Sequence, residues 1–124
     1  MVKSRVLIVD DEEEICELLS GFLESQEYET FQATTGADAI TLLKEARPHI
    51  LLLDIRMPEM NGVEILRKIR SIDNEICIIM ITGYHDVEIA QETLKLGASD
   101  FITKPIDLDY LATSIETKVK TLLA

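Results

Sequence analysis

Short apolar runs alternate with amphipathic stretches five times along this chain, and that alternation leaves few folds open. Residues 6–9, 28–33, 50–53, 76–81 and 101–103 read as strands. The most informative is Ile50-Leu51-Leu52-Leu53, which runs straight into Asp54 and then into a stretch with Pro58 and Asn61-Gly62. So short an apolar run, closed by turn residues, is a strand covered on both faces. Between the runs the apolar residues fall at helical spacing. The expected inner faces are Ile15, Leu18, Leu19, Phe22 and Leu23, then Ala39, Ile40, Leu43 and Ala46, with Pro48 as a stop. Val63, Leu66, Ile69 and Arg70 mark the third helix, and Val87, Ala90 and Leu94 the fourth, which ends near Gly97. Leu108, Leu111, Ile115, Val119 and Leu122 mark the fifth. Glu12, Glu13 and Glu14 suit the positive end of the first helix dipole. Thr35 to Asp38 resembles a capping box, and Asp107 is placed to cap the last helix.

Strands that alternate with helices form a parallel sheet with helices on both faces. The expected fold is α/β, a flavodoxin-like (βα)5 three-layer sandwich with five parallel strands in the order 2-1-3-4-5. All strand C-termini then open onto one edge. Strand order reverses between the first and third strands, and ligands of open α/β sheets bind at that point.

Size and charge narrow the function. The 124 residues fit one domain, with no repeat, linker or low-complexity tract to mark a boundary. A formal charge of −11 argues against direct nucleic-acid binding, which rests on neutralising phosphates. The longest apolar run, 76–81, is far short of a membrane span, and the N-terminus lacks a signal-peptide core. Cys16 and Cys77 lie within apolar segments without metal-ligand spacing and read as buried thiols in a reducing compartment. A cytoplasmic domain is expected.

The polar residues at the strand ends are Asp10, Asp11, Asp54, Thr82 and Lys104. Each has a bland reading: Asp10 and Asp11 can begin a turn, Thr82 can end a strand, Lys104 can be solvated. Together on one edge they make a site. Two carboxylates about 4 Å apart repel by roughly 4 kcal/mol at an effective dielectric of 20. Three carboxylates and one ammonium leave two negative charges, which a divalent cation neutralises. Oxygen donors alone point to a hard ion, Mg2+ before Ca2+. A phosphoryl group approaching a carboxylate needs that ion on one oxygen, an ammonium such as Lys104 on another, and Thr82 or amides near Gly83 on the third. Asp54, at the end of a central strand, is the candidate nucleophile for an aspartyl phosphate.

At these residues the chain resembles the receiver domain of bacterial two-component response regulators, over residues 5–122. The parts are Val6 to Asp11, Leu52 to Pro58 with Gly62, Ile81-Thr82-Gly83, and Phe101 to Pro105. The resemblance implies that Asp54 accepts a phosphoryl group from a sensor histidine kinase or a His phosphotransfer protein. It implies Mg2+ held by Asp11 and Asp54, by Asp10 largely through water, and by the backbone carbonyl of Arg56. Lys104 would contact the phosphoryl group, and its bond to Pro105 would be cis. Thr82 and Phe101 would form the switch. Because Phe101 lacks a hydroxyl, its ring is expected to favour the buried rotamer in both states. The side chains of Arg56 and Tyr84 flank the site and are expected to tune the lifetime of the aspartyl phosphate. His49 and His85 are not expected to be phosphodonors.

The function expected is a phosphorylation-dependent signalling switch, not a turnover enzyme. The alternative is a Mg2+-dependent phosphatase acting through an aspartyl phosphate. Phosphatases of the haloacid-dehalogenase type place an acidic residue two positions after the nucleophile, where this chain has Arg56. A flavin or dinucleotide domain needs a glycine-rich turn after the first strand, where this chain has Asp10 to Glu14. Residues 1–124 are expected to be a single receiver, stand-alone or cut from a longer regulator. Its partners would be a downstream effector and a second copy, through the fourth helix, fifth strand and fifth helix.

Overall fold

Val6, Leu7, Ile8 and Val9 are all fully buried, and so are Ile50 to Leu53 and Ile78 to Ile81. Successive strand residues point to opposite faces, so such runs require cover on both sides. A computed structural model, which describes residues 3–57 and 61–123, supplies that cover; the side chains of Tyr84 and residues 121–123 fall outside the description. The strands are β1 (Arg5–Val9), β2 (Glu29–Ala33), β3 (Ile50–Asp54), β4 (Cys77–Thr82) and β5 (Asp100–Thr103). The helices are α1 (Glu13–Ser25), α2 (Gly36–Ala46), α3 (Gly62–Ile72), α4 (Val87–Lys95) and α5 (Leu108–Leu123), with a 3-10 turn at Tyr84–Asp86 before α4.

The strands are parallel in the order β2-β1-β3-β4-β5, as expected. Leu7, Val9, Leu51, Leu53, Ile78 and Met80 face a layer that includes Ala39, Leu43, Ile65, Leu66, Ile69 and Ala90 of α2, α3 and α4. Val6, Ile8, Ile50, Leu52, Ile79 and Ile81 face Cys16, Leu19, Leu23, Leu111 and Ile115 of α1 and α5. Each fully buried aliphatic side chain contributes about 1.5–3 kcal/mol of transfer free energy, which is what docks the helices.

Two expected inner-face residues are not inside. Leu18 is 56% exposed and Leu94 is 40% exposed. A helix on a flat sheet buries a narrow stripe, and α1 fills it with Cys16, Leu19, Ser20 and Leu23. On α4 the stripe is Ala90 and Thr93. Thr93 enters the core because its hydroxyl donates to the Ala90 carbonyl. On α3 the stripe includes Ile65, while Val63 is half-buried. The Leu122 side chain and Pro58 lie outside the description.

The caps follow from sequence. The Thr35 hydroxyl accepts from the Asp38 N–H at 3.1 Å, and Asp107 accepts from the Tyr110 N–H at 3.1 Å. Asn61 caps α3 by accepting from the Glu64 N–H at 3.0 Å. Behind that cap, a Cβ on Gly62 would lie 2.6 Å from the Asp54 carbonyl oxygen and 2.7 Å from the Ile55 Cα. The missing side chain lets the start of α3 seat against the end of β3. Among the described residues no helix is long and apolar enough to cross a membrane.

Candidate functional site

β1 and β3 are neighbours, with Val9 paired to Leu53. The residues that follow each, Asp10 and Asp54, therefore emerge side by side where strand order reverses. Asp10 is fully buried, Asp54 is 4% exposed, and Asp11 is open to solvent. One carboxylate oxygen from each of the three lies within 4.8 Å of the others. Backbone amides hold the two buried groups: Asp10 Oδ1 accepts from the Glu12 N–H at 2.9 Å, and Asp54 Oδ1 from the Arg56 N–H at 3.2 Å.

Lys104 arrives from the end of β5. Its N–H donates to the Thr82 carbonyl at 2.8 Å, and its peptide bond to Pro105 is cis, as the resemblance implies. Its ammonium stands 3.6 Å from Asp10 Oδ2 and 3.7 Å from Asp54 Oδ2. Both distances are ion pairs rather than hydrogen bonds. Asp10 Oδ2 is accordingly buried with no hydrogen-bond partner among the described residues.

Burial, and then the charge of Asp10, push the Asp54 carboxyl up to about 6, against the pull of Lys104 and the Arg56 N–H. Burial also raises Asp10, opposed by the Glu12 N–H and Lys104. Burial alone would lower Lys104, but Asp54 and Asp10 outweigh it and hold the ammonium above its ordinary range. The site thus has one firm cation and carboxylates short of partners. An orphaned carboxylate oxygen among hard oxygen donors fits a divalent ion such as Mg2+. A cleft of about 510 Å³ bordered by Asp11, Arg56, Asn61 and Ile89 opens beside these groups.

Thr82 is fully buried, and its hydroxyl donates to the Gly83 carbonyl at 3.2 Å. That carbonyl also accepts from the Asp86 N–H at 3.0 Å. Phe101 is half-buried rather than enclosed, with its ring against the α2–α3–α4 layer. The Tyr84 side chain lies outside the described residues. His49 is at the opposite sheet edge, where its Nδ1 accepts from the Arg5 N–H at 2.9 Å, and His85 is exposed. Cys16 is buried under Asp10, whose carbonyl it approaches at 3.3 Å, and burial with the Asp10 charge pushes its thiol up to about 11.

Two residues gain a role that sequence reading did not give them. Gly62 was legible as a turn residue but not as the point of closest approach to Asp54. Asp86, 5% exposed, grips the Arg56 guanidinium with both oxygens, at 2.6 and 2.9 Å. That hydrogen-bonded pairing holds the Asp86 carboxyl below the usual carboxylate range. Thirty residues separate the partners, and Asp86 sits in sequence where an ordinary helix start would place an acid.

Comparison with known protein families matches residues 6–116 to the response regulator receiver domain. The chain is 43% identical over 108 residues to the regulatory protein AtoC of Escherichia coli K12, covering 87% of this chain and 23% of that protein. It is 36% identical over 116 residues to sporulation initiation phosphotransferase F of Bacillus subtilis 168, covering 94% of each. A receiver domain protein (CheY-like) from Methanospirillum hungatei JF-1 superposes with a TM-score of 0.92 at 30% identity, covering 98% of this chain and 97% of that one. The chain thus spans about a quarter of the regulator AtoC and nearly all of the phosphotransferase.

Proposed function

The chain belongs to the response regulator receiver domain family, and from that premise we propose that Asp54 is its phosphoryl acceptor. A receiver domain is a phosphotransfer-accepting signalling switch, and the named relatives are a regulator and a phosphotransferase rather than phosphatases of small esters. The donor is a phosphohistidine on a sensor kinase or phosphotransfer protein. An Asp54 oxygen attacks phosphorus, the P–N bond breaks, and its electron pair returns to the imidazole nitrogen. The observation that carries this reading is the Lys104 ammonium poised 3.7 Å from Asp54 Oδ2 and 3.6 Å from Asp10 Oδ2. It is near enough to meet an incoming phosphoryl oxygen and not committed to either carboxylate by a hydrogen bond.

Asp11, Asp54 and the Arg56 carbonyl would hold Mg2+, with Asp10 acting largely through water. Bound there, the ion supplies charge neutralisation for anion meeting anion. The orphaned Asp10 oxygen supports this assignment. Thr82 would leave the Gly83 carbonyl to meet the phosphoryl group, beside the Gly83 amide, and Phe101 would turn further into the core. The Arg56 and Tyr84 side chains would tune the lifetime of the product, with the Arg56 guanidinium held on Asp86. Residues 1–124 act as one receiver unit in the cytoplasm. Its output passes to an effector or a second copy through the face of α4, β5 and α5, with no direct contact to nucleic acid.

Incubation with acetyl phosphate and MgCl2 tests the assignment by intact mass. One phosphoryl group should be added, and none to Asp54→Asn. Repeated turnover of a phosphomonoester by the wild-type chain would overturn the switch reading in favour of a phosphatase.

A further inference from the structure

The Arg56–Asp86 pair joins two segments that the site treats as separate. Arg56 follows β3 on the side of the carboxylates. Asp86 closes the 3-10 turn that leaves β4. The Arg56 side chain is 73% exposed and the Asp86 side chain is 7% exposed, so a surface cation has been drawn onto a buried acid. Both guanidinium bonds are short and form the fork that fits a carboxylate.

Arg56 is thereby fixed at both ends. Its N–H is tied to Asp54 Oδ1 at 3.2 Å and its guanidinium to Asp86 at 2.6 and 2.9 Å. Just before it, the Ile55 N–H donates to the Ile81 carbonyl at 2.9 Å, and the Ile55 carbonyl accepts from the Gly62 N–H at 2.7 Å. With its amide, side chain and preceding peptide held, the Arg56 Cα and carbonyl carbon are fixed in place, and only rotation about the Cα–C bond, limited by the buried Met57 side chain that follows, aims the carbonyl. That carbonyl is the oxygen assigned to the cation above.

We infer that Asp86 is a positioning residue for the cation site: by clamping the Arg56 guanidinium it presets the Arg56 carbonyl, and so raises Mg2+ affinity without touching the ion. This rests on the metal reading of the preceding subsection. The pair also spans the site, because the same Asp86 donates its N–H to the Gly83 carbonyl that holds the Thr82 hydroxyl. The pair thus links the Arg56 backbone to the turn that holds the Thr82 hydroxyl.

The idea predicts a sign opposite to that of simple electrostatics. As a mere positive charge near the site, Arg56 would repel Mg2+, and its removal would tighten binding. As a clamped backbone support, its removal loosens binding. Calorimetric titration with MgCl2 alone, on the unphosphorylated chain, separates the two. Arg56→Met should weaken binding about tenfold, as losing an outer partner of a metal ligand commonly does. Arg56→Lys keeps the charge but cannot make the fork, and should also weaken it. Arg56→Met combined with Asp86→Asn should be no weaker than the worse single variant, since both remove one clamp. Thermal melting without Mg2+ checks that each variant is folded, which the exposure of Arg56 favours. Unchanged or tighter Mg2+ binding in Arg56→Met and Arg56→Lys overturns the clamp while leaving the metal site standing. Absence of Mg2+ binding by the wild-type chain overturns the metal reading, and the clamp with it.

Discussion

The two edges of the sheet are finished in opposite ways. At the edge where the strands begin, polar groups find partners within the protein. His49 Nδ1 accepts from the Arg5 N–H at 2.9 Å, and the Arg5 guanidinium donates to the Ala46 and Arg47 carbonyls at 2.9 Å each. Arg70 ties the end of α3 to the Ile76 and Gly97 carbonyls, both at 2.6 Å. At the edge where the strands end, Asp10 Oδ2 has no hydrogen bond among the described residues, and Lys104 stands 3.6 Å away. One sheet thus carries a closed end whose polar groups are paired and an open end whose buried charges lack full partners among the described residues. The difference points to a candidate site by what is left unsatisfied, which residue types alone would not do.

The sharpest way to break the contrast is at Gly62. Any Cβ there meets backbone atoms of Asp54 and Ile55, which cannot swing aside like a flexible side chain. Gly62→Ala should cost about 3 kcal/mol of stability in urea denaturation, the upper range for overpacking. It should also weaken Mg2+ binding, because the end of β3 has to move. A variant with wild-type midpoint and wild-type Mg2+ affinity would mean that the open edge is more pliant than its packing indicates.

The next effect is electrostatic. Burial pushes the Asp54 carboxyl from its ordinary 3.8 up to about 6 in the fold. The folded state binds this proton more tightly, so its contribution to stability is present below pH 3.8 and is lost as pH rises through 6. Without divalent ions the Asp54 carboxyl should account for a loss of about 2 kcal/mol between those limits, read as the difference in slope between wild type and Asp54→Asn because the depressed Asp86 acts in the opposite sense. Asp54→Asn should flatten that slope and be more stable than wild type at pH 7.5. Saturating MgCl2 should restore the wild-type chain towards it. If Asp54→Asn is no more stable at pH 7.5, the open edge holds no electrostatic strain.

The closed edge supplies the control. His49→Phe removes one hydrogen bond, from the Arg5 N–H, and should cost about 1 kcal/mol. Mg2+ affinity and phosphorylation should stay at wild-type levels, since the site is at the far end of the strands. A matching loss of Mg2+ binding would show the two edges to be coupled through the sheet.

How much of this was legible in sequence follows the range of the interactions. Strands came through because a buried strand is a contiguous apolar run, and strand order because 2-1-3-4-5 is a common arrangement of such doubly wound sheets. Asp10, Asp11, Asp54, Thr82 and Lys104 came through because each directly ends a strand or follows one. The Arg56–Asp86 pair did not, since its two halves are ordinary loop residues until the fold brings them together. Helix faces were legible only approximately: spacing marks an apolar side but not which row of it meets the sheet. Leu18 and Leu94 matched the pattern and yet lie outside, while Ser20 and Thr93 lie within. That distinction carries the smallest prediction. Leu18→Gln and Leu94→Gln should each change stability by no more than about 0.5 kcal/mol, as exposed substitutions do, whereas Leu19→Ala one position away should cost about 2–5 kcal/mol. Comparable losses at Leu18 and Leu19 in urea denaturation would restore the sequence reading of α1 and refute the observed stripe.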